Sequence, residues 1–173
     1  MNHRSRVWVQ RRLRSLALLE LLNIPLQAVI WFGVTGFPVT PANVVGFALF
    51  ALLLVQGAGY WLAKLRQLMV AGAPLPGARA FTSVRVLNVP VLIAGVLFTG
   101  WAVVDKPVVG GSGSWPGLAF ALFAVLEHVN YFHTQLMYDT DEDLRYLRKH
   151  GLRRAHLARD LTLKNTEARV RRP

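Results

Sequence analysis

The sequence predicts an all-α integral membrane protein. It is read as four transmembrane helices, a parallel 2+2 duplication of a two-helix hairpin, and a cytoplasmic amphipathic C-terminal helix. Three observations predict this. Hydrophobic residues make up 53% of the 173-residue chain and charged residues only 17%, where a soluble domain carries about 25% charge. Four separate segments approach the roughly 20 apolar residues needed to cross a bilayer core. The basic residues gather in alternate connections between those segments.

Residues 1–15 form a basic arm. Arg4, Arg6, Arg11, Arg12 and Arg14 stand there without an acidic residue. The membrane domain is assigned to residues 16–138, with spans near Leu16–Phe37, Ala42–Ala63, Val84–Val104 and Pro116–Tyr138. Unpaired backbone groups are not tolerated in lipid, so each span is read as a helix. The first is too long for a signal peptide, lacks a following Ala-x-Ala site, and precedes three more spans. The second connection carries Lys64, Arg66, Arg79 and Arg85, whereas the connections around Pro38–Pro41 and Asp105–Trp115 sum to zero. The positive-inside rule then places both termini in the cytoplasm. Sixteen of the 20 basic residues are Arg, a bias expected of a GC-rich bacterial genome, so the membrane is read as a bacterial inner membrane. The net charge of +11 is first a topology signal.

A repeat accompanies the spans. Leu22-Asn23-Ile24-Pro25 matches Leu87-Asn88-Val89-Pro90 at offset 65, and Gly46, Gln56 and Tyr60 match Gly117, Glu127 and Tyr131 at offset 71. Both copies begin on the same side, which makes the repeats parallel. Chance similarity between apolar segments is the competing explanation.

Polar residues inside spans are costly and call for a reason. Glu20, Asn23 and Gln27 share one stripe of span one. Gln56 and Tyr60 lie in span two, Arg85 and Asn88 in span three. Span four holds Glu127, His128, Asn130, Tyr131 and His133. At 1.5 Å per residue, Glu20 lies about 9 Å beyond Arg14 and Glu127 about 12 Å from the cytoplasmic face. These eleven residues (Glu20, Asn23, Gln56, Tyr60, Arg85, Asn88, Glu127, His128, Asn130, Tyr131, His133) are the candidate ligand-binding set, read as lining one cavity open to the cytosol. Arg85 holds the repeat position of Glu20 and is expected to neutralise Glu20 or Glu127, since a buried carboxylate pairs or holds a proton.

The chemistry stays open among three classes. One is a site for a small or lipid-like ligand. Another is a membrane enzyme with Glu127 and His128 or His133 as acid and base. The last is a scaffold subunit without a ligand. His128 and His133 are five apart, about 140° around a helix, so they do not make the i, i+4 pair of a helical zinc site. No cysteine occurs. No cofactor or metal is expected.

The tail, residues 139–173, carries ten basic and six acidic residues. Thr140 to Asp143 has the form of a capping box, and Gly151 is placed to end the helix that follows. A basic helix over Leu152–Leu163, with Leu152, Ala155, Ala158 and Leu161 near one face, is expected to lie on anionic lipid. Nucleic acid is disfavoured because no recognition fold surrounds Arg153, Arg154, Arg169, Arg171 and Arg172. A homo-oligomer is expected through the small-residue stretches Gly33–Gly36 and Gly95–Gly100.

Overall fold

A computed structural model describes residues 3–70, 74–105, 113–138 and 141–162. The architecture is all-helical. Helix α1 runs His3–Ala28 and continues as a π-helical turn, Val29–Val34. Then follow α2 (Pro41–Met69), α3 (Ala78–Asp105), α4 (Trp115–Phe132), α5 (Asp141–His150) and a short helix over 156–162.

Three helical segments are long and apolar enough to cross a membrane: Arg6–Val34, Pro41–Met69 and Ala78–Asp105. The fourth expected span is shorter than its sequence suggests. Helix α4 has 18 residues, about 27 Å of axial rise, and its last turns hold Glu127, His128 and Asn130. It stops at Phe132 because Asn130 captures the chain that follows. Its Oδ1 accepts from the backbone N–H of Leu136 at 2.8 Å and of Met137 at 3.3 Å. Residues 135–138 therefore leave the helix without regular structure, and Thr134 forms an antiparallel bridge with Arg154.

Helix α2 is central. It packs against α1, α3 and α4, and α3 packs against α4. The α2–α4 seam is the closest. A Cβ on Gly46 would lie 1.9 Å from the Gly117 carbonyl oxygen, and one on Gly117 would lie 2.3 Å from that of Ala42. Only glycine at both positions permits this backbone approach, the device membrane helices use where lipid supplies no hydrophobic drive. Core layers stack along the seam. Phe50, Leu54 and Phe120 form one, Leu49, Leu53, Leu92, Ala121 and Ala124 the next, and Tyr60, Tyr131, Phe132, Leu157 and Leu161 the third. The outward faces are apolar instead: Leu18, Leu22 and Leu26 on α1, Val29 in the π-helical turn, and Val86, Ile93, Leu97 and Trp101 on α3 are exposed. Such faces suit hydrocarbon rather than water.

The end of the bundle where α2 and α4 begin is closed by Asn43, which is wholly buried. Its amide donates to the carbonyls of Pro38 at 2.8 Å and Gly113 at 2.6 Å, and accepts from Gly117 N–H at 2.8 Å. Thr40 caps α2 through the Asn43 N–H at 3.2 Å, with Pro41 in the first turn. Trp31, Phe37 and Trp115 meet edge-on and tilted around this end at 5.3–5.5 Å between centroids.

The opposite end is closed by the tail, and here the expectation needs correction. Gly151, at φ +75°, does end α5, its N–H bonded to the Leu147 carbonyl at 2.9 Å. The capping box involves Thr140, which lies outside the described residues. The next helix begins at 156, not 152. Leu152 is exposed, and residues 153–155 pair with the 133–135 segment through Gln135 N–H to Arg153 O (2.9 Å) and Ala155 N–H to His133 O (3.0 Å). Ala155, Leu157, Ala158 and Leu161 are buried. The apolar face expected to meet lipid is covered by the bundle itself.

Candidate functional site

A cavity of about 390 Å³ opens between the first half of α1, the second half of α2 and the end of α4. Leu13, Leu16 and Glu20 face it from α1, at spacings that put them on one stripe. Tyr60, Trp61, Lys64 and Leu68 face it from α2, again one stripe. Asn130 and Tyr131 close it from α4, and Gln135, Met137, His156 and Leu157 come from the segment and tail that fold beneath the bundle.

At its inner end the Tyr131 hydroxyl donates to the Glu20 carboxylate and lies beside Glu127. Glu127 is buried, and accepts from Asn130 Nδ2 at 3.4 Å. The two carboxylates lie within electrostatic range of each other. Neither forms an ion pair among the described residues. The Trp61 indole N–H is buried beside Glu20. Tyr131 has room only because position 57 is glycine: a Cβ there would lie 2.3 Å from the tyrosine oxygen.

At its basic end stand Arg12 and Lys64. Lys64 Nζ is 2.8 Å from Asp160 Oδ2, the same oxygen that accepts from the Tyr60 hydroxyl at 2.9 Å. Asp160 thereby locks the tail helix onto α2.

The structure divides the sequence-predicted set. Glu20, Tyr60, Asn130 and Tyr131 line the cavity, with Glu127 directly behind Tyr131. Gln56, Asn88 and His128 form a separate cluster between α2, α3 and α4. Gln56 and Asn88 exchange amide hydrogen bonds at 3.1 and 2.7 Å, and Asn88 Nδ2 lies 3.4 Å from His128 Nδ1. Asn23 belongs to neither. It accepts from Gln27 at 3.2 Å, Gln27 accepts from the Trp31 indole at 2.9 Å, and all three border a smaller cavity of about 210 Å³ toward the Asn43 end. Arg85 is not the partner of either carboxylate. It lies instead within electrostatic range of His128 and His133, whose rings are 5.4 Å apart. His133 is exposed just beyond the end of α4.

This arrangement disfavours an acid–base dyad of Glu127 with a histidine. Glu127 turns toward α1 and His128 toward α3, as neighbours about 100° apart on one helix must. Among the described residues no three metal-ligating side chains gather. The sequence reading missed Trp61, Lys64, His156 and Asp160. Trp61 and Lys64 were legible in principle as the continuation of the Tyr60 stripe. His156 and Asp160 were not, because the tail reaches them from about 100 residues away. The chain matches no known protein family, no curated protein and no solved structure.

Proposed function

We propose that this chain is a four-span inner-membrane protein of bacterial type whose cavity, open to the cytosol, holds a small or lipid-like ligand. The observation that carries the reading is the cavity itself. Its volume falls within the roughly 300–1,000 Å³ of small-molecule sites, and it combines apolar walls with a few convergent polar groups. Helix α4 supplies the fourth span. Its apolar first part reaches the aromatic outer end, and its polar last part faces protein, where intramembrane polar groups are tolerated. Both termini are cytoplasmic by the distribution of basic residues. The basic surface left around the docked tail meets anionic lipid headgroups. Duplication is supported by Gly46 and Gly117, repeat equivalents that face each other across the α2–α4 seam.

The Gln56–Asn88–His128 cluster supports a structural role for that part of the polar set. Interhelical hydrogen bonds in membranes average about 0.6 kcal/mol, enough to fix the register of α2, α3 and α4 without a ligand.

A cavity-filling variant tests the ligand reading. Leu16→Trp places a larger side chain in the cavity and leaves every charged group in place. Native mass spectrometry of protein released gently from membranes should show a bound small amphiphile on the parent chain and none on the variant. Identical spectra, with or without a bound mass, count against it.

A further inference from the structure

We infer that the cavity selects a monovalent organic cation with an apolar body, its charged group seated between Glu20 and the aromatic rings of Tyr60, Trp61 and Tyr131. The inference rests on the ligand reading above and adds the sign of the ligand's charge.

The charges facing the cavity come from every element around it. Glu20 and, behind Tyr131, Glu127 put two carboxyl groups at its inner end, no cation among the described residues pairs with either, and a bound cation would hold Glu20 in its ionised form. Lys64 is engaged by Asp160 at 2.8 Å. Arg12 precedes Glu20 by eight residues, about 12 Å along α1, and so stands at the opposite end of the cavity. His156, on the tail, borders the basic end and contacts the Trp61 ring. The cavity is thus polarised along its length.

Three consequences select the cation. A cationic group at the inner end meets the Glu20 carboxylate, which accepts from the Tyr131 hydroxyl and has no ion-pair partner among the described residues, and partial burial strengthens the Coulomb attraction. It also meets aromatic faces: Tyr60 and Trp61 lie 4.8 Å apart between ring centroids, and rings attract cations through their quadrupoles. An anionic amphiphile fits neither way round. Head first, it meets Glu20 and Glu127. Held by Arg12, it lays its hydrocarbon end on the same carboxylates, a costly contact.

The test uses two probes of equal length and opposite charge, octyltrimethylammonium and octanesulfonate. Each is titrated by equilibrium dialysis into full-length protein in a nonionic detergent, with Leu16→Trp protein as the reference for uptake into micelles. The ammonium should bind saturably and the sulfonate should not. Glu20→Gln keeps the size and a hydrogen-bonding side chain, and should weaken the ammonium about 30-fold or more, as for loss of one partner of a buried charged contact. If the sulfonate binds as well as the ammonium, or if Glu20→Gln leaves ammonium binding intact, the charge inference is wrong and the ligand reading stands. If neither probe binds saturably to the parent chain, both fall.

Discussion

Asn43 shows what one buried side chain does in this bundle. It is fully enclosed, and its amide satisfies three backbone groups from the segments that precede α2 and α4 and from the start of α4. Removing it strands the Gly117 N–H at the seam where α2 and α4 approach most closely. A buried donor left without a partner costs about 1–3 kcal/mol. Asn23 offers the contrast: its recorded bond is to Gln27, one turn away on the same helix, and such pairs contribute about 0.2–0.5 kcal/mol. Asn43→Ala should therefore lower the melting temperature in detergent clearly, and Asn23→Ala barely. Equal shifts would mean that Asn43 does not hold this end of the bundle together. From sequence, Asn23 drew attention because it sits mid-span beside a proline. Asn43 did not, because it stands at the mouth of a span where an asparagine usually meets water. Its burial depends on Gly113 and Gly117, 70 and 74 residues away.

At the scale of elements, the tail helix over 156–162 is the piece that departs most from its sequence pattern. A short basic helix with one apolar face suits a lipid surface equally well. Here the face is taken by the bundle: Leu157 and Leu161 join Tyr60, Tyr131 and Phe132 in one core layer, and Asp160 bonds both Tyr60 and Lys64. Leu157→Asp should undock it. Large-to-small changes at buried leucines cost about 2–5 kcal/mol, and a buried carboxylate adds to that. A loss of about 3 kcal/mol raises the undocked population roughly 100-fold. Trypsin should then cut after Arg154 or Arg159 faster by about that factor, with helical content in circular dichroism retained. An unchanged cutting rate would show that the tail is not held by this face.

The spans that were easiest to read, α1 to α3, are those whose hydrophobic length alone specifies a helix. The end of α4 was read six residues too far, because apolar and polar residues continue evenly through His133–Tyr138 and only the Asn130 side chain tells the backbone to leave the helix. The candidate site was half legible. Helical spacing identified the stripe of Glu20 and the faces of Tyr60 and Tyr131. It could not tell that Arg85 turns to the histidines, since a repeat position fixes depth along a helix and not the direction of a long side chain.

The two ends of the bundle differ in kind, and that difference predicts an orientation. One end is aromatic and nearly uncharged, with Trp31, Phe37 and Trp115 in contact. The other carries Arg12, Lys64, Arg66, Arg79 and the docked basic tail. Membranes retain such basic segments in the cytoplasm. The cavity is bordered by Arg12 and Lys64, so the positive-inside rule predicts that it opens on the cytoplasmic side. The chain has no cysteine, and single cysteines can therefore report on each end without background. Val39 and Val70 are both exposed, the first in the aromatic-end connection and the second just past α2 at the basic end. In intact cells a membrane-impermeant maleimide should label Val39→Cys, and should label Val70→Cys only after the membrane is opened. The reverse pattern would turn the molecule over and open the cavity to the outside. The charge asymmetry would then have to be explained by a partner at the basic end, and the cation expected in the cavity would be drawn from the external medium rather than from the cytosol.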